Sequence, residues 1–136
     1  MRYDKAKAYF AAAYLIEKSP LHWSMSTSDF ARLVTAPIEE GTFVVGYNDD
    51  YKPYLFATYA FPEPDHLEKY YETGNFPISG FYGNGNTPFV IDFICMTGMR
   101  DIMSSFRYIK GMFDEMGYTE ARWLRTASDK RGWHSW

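Results

Sequence analysis

Two short segments hold the side chains best suited to chemistry: Ser19-Pro20-Leu21-His22 near the start, and Phe89-Val90-Ile91-Asp92-Phe93-Ile94 two-thirds of the way along. Each sets one ionisable group among apolar neighbours. A histidine titrates near neutral pH, and a carboxylate flanked by Val, Ile and Phe needs a partner or takes a strongly perturbed pKa. If the fold joins His22 to Asp92, the pair is a base with an orienting acid, which outlines a catalytic centre. Each residue also has a structural reading. His22 can be a loop residue capping the last carbonyls of a helix, and Asp92 can bind backbone or an arginine such as Arg122 or Arg125.

A third feature is the strand-to-helix junction Ile94-Cys95-Met96-Thr97-Gly98-Met99. Backbone N–H groups of Thr97, Gly98 and Met99 at a helix start favour an anion, either a pyrophosphate or a developing oxyanion. The same residues also read as a plain turn. Nothing matches a P-loop or a G-x-G-x-x-G motif. His22, His66, His134 and the single Cys95 have no metal-ligand spacing, so no metal is expected. His66 lies in a charged stretch and reads as solvated, and His134 reads as part of a tail.

The elements that must position these groups follow from pattern. Ala6, Tyr9, Phe10, Ala13 and Tyr14 recur at helical spacing from Asp4 to Lys18, and Ser19-Pro20 ends that helix, because the residue before proline is pushed out of the α region. His22 is therefore expected on a loop just past a helix end. A short second helix, Asp29 to Ala36, takes Ser26 or Ser28 as its cap and Pro37 as its stop. Thr42–Tyr47 and Pro53–Phe61 read as a hairpin turning at Asn48-Asp49-Asp50.

Pro62 and Pro64 break the second strand, and Asp65–Tyr71 reads as a turn or two of helix. A short strand is predicted at Ile78–Tyr82, and Gly80 to Asn86 reads as an exposed, mobile loop. Thr87–Met96 is the strongest strand; its near-continuous apolar run implies cover on both faces, with Asp92 as the exception. Met99–Met116 is an amphipathic helix presenting Ile102, Met103, Phe106, Ile109, Met112 and Phe113, with Gly117 as its stop. A last strand, Tyr118–Thr126, precedes a tail containing Lys130, Arg131, Trp133, His134 and Trp136.

Bulk properties bound the rest. The 136 residues suit one domain, 1–136, and 46% hydrophobic with 20% aromatic residues implies a ring-rich core or a ring-lined pocket. A net charge of −3 argues against a nucleic-acid partner or an acidic membrane surface, and outweighs the stacking surface that Trp133 and Trp136 suggest beside Lys130 and Arg131. A lone Cys95 fits a reducing compartment and reads as a buried small hydrophobe. With neither a signal-peptide pattern nor a spanning run, a soluble cytoplasmic protein is expected.

Ser19-Pro20-Leu21-His22, Phe30-Ala31 with Ala36-Pro37-Ile38, Tyr51-Lys52-Pro53, Leu67-Glu68-Lys69-Tyr70, and Phe89 to Ile94 ending at Gly98 together resemble the toxin-activating lysine acyltransferases, which activate bacterial RTX haemolysins. The likeness runs in order from about Ala8 to Arg125. It implies an α+β, GNAT-like fold: a mixed, mostly antiparallel sheet flanked by helices and splayed where the donor enters. It also implies transfer of a fatty acyl group from an acyl carrier protein thioester, or acyl-CoA, to a lysine ε-amino group of a protein substrate. The family's catalytic histidine falls on His22 and its aspartate on Asp92. Thr97, Gly98 and Met99 would then hold the thioester oxygen or the donor's phosphopantetheine.

The chain departs from the family in three places. A family asparagine falls at Leu33, a Gly/Asn loop replaces an acidic, Trp-containing stretch between Tyr71 and Pro88, and the family's C-terminal extension past Trp136 is absent. These departures support an alternative expectation: a non-catalytic binding, inhibitory or structural protein on the same fold, of phage or mobile-element origin. Exposed aromatics are compatible with a homodimer.

Overall fold

The computed structural model describes residues 3–73, 85, 87–125 and 132–135. The chain is α+β, with a mixed, mostly antiparallel sheet flanked by helices, as the GNAT-like expectation required. Five strands lie in the order β1 (Phe43–Tyr47), β2 (Pro53–Ala60), β3 (Phe89–Cys95), β4 (Arg122–Arg125) and β5 (Gly132–Ser135). Among the described residues only the β3–β4 pair is parallel. Parallel neighbours need a crossover, and helix α5 (Met99–Glu115) supplies it. The predicted strand at 78–82 lies outside the described residues, as does most of the predicted loop. Its Gly85 is buried rather than exposed. The Gly85 N–H bonds to the Phe61 carbonyl at 2.9 Å, and a Cβ there would lie 1.8 Å from the Pro62 carbonyl oxygen, so only glycine fits.

The strand period of two assigns each helix to a face. Phe56 and Ile94 face α1 (Tyr3–Glu17), with Val34 and Ile38 alongside. Leu55, Ala57, Tyr59 and Val90 face α5, which presents Ile109 and Phe113. Helix α4 (Pro64–Thr73) lays Leu67 on Ala60 and Phe89. Pro64, read as a breaker, opens this helix, where its missing N–H costs nothing. Strand β3 is less covered than predicted: Ile91, Asp92, Phe93 and Cys95 are only half-buried.

Helix α1 spans the expected residues but turns a different face inward. Ala8, Ala11, Ala12 and Leu15 are buried, while Phe10 is 56% exposed. Small side chains let the helix axis approach the sheet, and a Phe in that position would hold it off. In α5 the inner face is Ser105, Ile109 and Phe113, and Met103, expected inside, is 49% exposed. Gly117 ends the segment as expected, with φ 93° in the left-handed region.

The second helix is longer than predicted and passes through Pro37. Ser26 caps α2 (Thr27–Phe30) in a reciprocal capping box with Asp29. A π-turn, Ala31–Thr35, follows, in which the Ala36 N–H reaches back to the Ala31 carbonyl, and Pro37 then sits in the first turn of α3 (Ala36–Glu40). Proline has no N–H to offer the carbonyl of Leu33, four residues back. The buried Thr58 hydroxyl donates to that carbonyl at 3.1 Å.

The C-terminal stretch also differs from the reading of a strand and a tail. Strand β4 stops at Arg125, and Gly132–Ser135, including His134, forms β5 antiparallel to it. No described helix is long and apolar enough to cross a membrane.

Candidate active site

His22 reaches the site through a structured turn. After α1 the chain enters a 3₁₀ turn, Pro20–His22, in which the His22 N–H bonds the Ser19 carbonyl at 2.9 Å and the Trp23 N–H bonds that of Pro20 at 3.2 Å. The Trp23 indole N–H returns to the Glu17 carbonyl at 3.0 Å, tying the turn to the helix end. The alanine face of α1 sets that end close over β2 and β3.

Asp92 reaches the same place through a β-bulge. Thr58 pairs with Asp92 but Tyr59 pairs with Val90, so Ile91 is an extra residue on β3. A bulge breaks the alternation of faces. Val90 and Phe93 therefore both pack on the α5 side, while Asp92 and Ile94 face α1.

The two candidates meet. His22 Nε2 lies 2.8 Å from Asp92 Oδ1, with 15% and 10% of the two side chains exposed. Asp92 Oδ1 also accepts the Phe93 N–H at 3.0 Å, and its buried Oδ2 has no hydrogen-bond partner. On the other side of the ring, His22 Nδ1 lies 2.7 Å from the Oγ of Ser19, which is 6% exposed. A carboxylate only accepts hydrogen bonds, so in the neutral ring Nε2 carries the proton. Nδ1 is then the basic nitrogen, and the Ser19 hydroxyl donates to it. The hydrogen bond to Asp92 raises the His22 pKa above 6.5, burial opposes it, and the charge of Asp92 reinforces the rise.

Ser19 is the residue the sequence reading passed over. It was read as a helix terminator, although a serine three residues before a histidine, with a proline between, was the available signal. Thr58 is the other: it stands opposite Asp92 on β2, and its hydroxyl donates to the carbonyl of Leu33.

Thr97, Gly98 and Met99 are exposed, and Gly98 caps α5 with no side-chain hydrogen bond and φ 113°. Asp92 and Cys95 are about 10 Å apart at the usual strand rise, and Thr97, Gly98 and Met99 follow beyond Cys95. They stand past the end of β3, where the chain turns into α5. Between the two places β3 runs on past its assigned pairing with β4. Strands β3 and β4 share only the pairs Phe89–Arg122 and Val90–Trp123. Phe93 stacks on Phe106 at 4.5 Å, and Phe106 lies 5.8 Å from Trp123. Cys95 is half-buried rather than buried, its Sγ 3.8 Å from Thr97 Oγ1.

His66 is half-buried, its side chain 35% exposed and its Nδ1 3.6 Å from Asp65 Oδ1. Among the described residues no group of three His, Cys, Asp or Glu could hold a metal ion. Compared with known proteins, the chain matches no protein-family model and no curated protein sequence.

Proposed function

We propose that this protein is an acyltransferase that moves an acyl group from a thioester donor to an amine, with a protein lysine as the acceptor. The observation that carries the reading is the 2.8 Å His22–Asp92 hydrogen bond between a helix-end turn and a bulged strand seventy residues apart. A lysine ε-amine has a pKa near about 10.4 and sheds a proton as it attacks a carbonyl, so a base near neutrality is needed at the reacting atoms. His22 is that base, and Asp92 fixes its tautomer and stabilises the imidazolium that forms.

The short assigned pairing between β3 and β4 supports the donor side of the proposal. Beyond Val90, the β3 main chain has no described β4 partner, which leaves backbone groups for the amides of a pantetheine arm. The start of α5 would meet the arm's phosphate. Acyl carrier protein and acyl-CoA both carry such an arm, and a cytoplasmic location follows from either donor.

The test is co-expression with a bacterial proteome, followed by mass spectrometry for acylated lysine, and direct binding of acyl carrier protein, acetyl-CoA and long-chain acyl-CoA. Acylation that disappears in His22→Gln is the expected result. No acylation together with no donor binding would falsify the reading.

One observation favours a second reading. The pair is largely covered, with 15% and 10% of its side chains exposed, as suits an ion pair that staples α1 to β3 in a binding or structural protein. On that reading His22→Gln changes stability and nothing else.

A further inference from the structure

Both ring nitrogens of His22 are already engaged. Nε2 holds Asp92 at 2.8 Å and Nδ1 holds the Ser19 hydroxyl at 2.7 Å. An incoming amine therefore meets no unoccupied nitrogen to receive its proton, because the Ser19 hydroxyl already holds Nδ1. A hydroxyl bonded to a base that is itself oriented by a carboxylate is the arrangement that activates a nucleophile. The Asp92 carboxylate, held by the Phe93 N–H, completes a line of three groups drawn from two distant segments.

We infer that Ser19 is a covalent nucleophile, and that acyl transfer in this protein runs through an acyl-Ser19 ester. The inference rests on the acyltransferase reading for its donor and acceptor, but not for the activation of Ser19. In the first half, Ser19 Oγ forms a bond to the thioester carbonyl carbon as its proton passes to His22 Nδ1. The C–S bond then breaks and the Nδ1 proton goes to the leaving thiolate, giving a free thiol. In the second half, the nitrogen of a neutral amine bonds to the ester carbonyl and its proton passes to Nδ1. The C–O bond breaks and Nδ1 returns the proton to the Ser19 oxygen. The sum is thioester plus amine giving amide plus thiol, with nothing oxidised or reduced. The Asp92 carboxylate stabilises the imidazolium in both halves. Shelter of the three side chains from bulk water favours survival of the ester until the amine arrives.

The experiment uses a short-chain alkyl fluorophosphonate, which reports an activated serine whether or not the true donor is known. The full chain and its Ser19→Ala, Ser19→Cys and His22→Gln variants are treated, and the label is located by peptide mass spectrometry, with thermal melts to establish folding. Labelling at Ser19 is expected in the wild type, none at this position in Ser19→Ala, and a rate lower by about 10²–10⁴ in His22→Gln. In parallel, an acyl-N-acetylcysteamine thioester supplied without amine should leave its acyl group on Ser19, and on the thiol of Ser19→Cys.

Folded wild-type protein that takes neither the fluorophosphonate nor the acyl group at position 19 overturns the inference. If that protein still acylates an added amine, the acyltransferase reading survives and His22 acts without a covalent intermediate. If Ser19 takes the label but no donor supports transfer to an amine, the nucleophile stands and the acceptor assignment falls.

Discussion

On one side of the sheet, α1 lays Ala8, Ala11, Ala12 and Leu15 against Phe56 and Ile94, whereas on the other α5 meets a wall of rings. Tyr59 stands edge-on to Phe113 at 5.2 Å and to Phe61 at 5.7 Å, and Phe61 stacks on Tyr118 at 5.1 Å. Both faces belong to the same strands, so the contrast lies in side-chain size rather than in topology. Rings bury large areas and stabilise the domain. Alanines bury little, but they allow the close approach that sets a helix end within hydrogen-bond reach of a strand carboxylate. The candidate chemistry stands on the alanine side, and the Tyr59, Phe61 and Phe113 ring contacts on the other.

Four substitutions would break or sharpen that division. The largest effect is expected from His22→Gln, whose amide can still donate to Asp92 while the base is lost: acyl transfer should fall by about 10²–10⁴ with the fold retained, measured as initial rates beside a circular-dichroism melt. Next, Phe113→Ala on the ring side should cost about 3–5 kcal/mol in urea unfolding, since Phe113 is 0% exposed, yet leave per-molecule activity of the folded fraction near wild type. Ala12→Leu should cost about 1–3 kcal/mol by overpacking, and unlike Phe113→Ala it should also depress activity, because it lifts α1 away from Asp92. Equal activity losses in these two variants would show that the faces do not divide the labour.

The fourth and smallest effect is a pH dependence. The folded pKa of His22 is raised above 6.5, so the stability its pair contributes is fully present below about pH 6.5 and is lost as the pH rises through the folded value. Catalysis runs the other way, because the base must be neutral, and rates should climb through the same pKa. In Asp92→Asn both limbs should move to lower pH, read from urea midpoints and rate profiles between pH 5 and 9. A stability profile unchanged by Asp92→Asn would show that the pair does not titrate as described.

The sequence announced His22 and Asp92 because an ionisable residue among apolar ones is conspicuous, and α5 because its polar and apolar residues are sharply sorted. The buried face of α1 was read wrongly for a physical reason: alanine is weakly apolar, so periodicity followed the larger Tyr and Phe side chains outward. Pro37 was taken as a stop since proline usually is one, and only a π-turn and the Thr58 hydroxyl accommodate it. The bulge at Ile91 left no trace in a run where nearly every residue is apolar. Strand β5 was hidden among Lys130, Arg131 and His134. Ser19 was passed over because its role depends on which ring nitrogen faces it, and that is settled only by the position of Asp92.

The short seam between β3 and β4 has a mechanical consequence. Three antiparallel strands form one block and the β4–β5 hairpin another, and two residue pairs join their backbones. Separating the blocks sacrifices few main-chain hydrogen bonds, so the hairpin is a natural unit of sub-global opening. In native-state hydrogen exchange its amides should give up their protons well before those shared by β2 and β3, with the domain unzipping from its β5 edge.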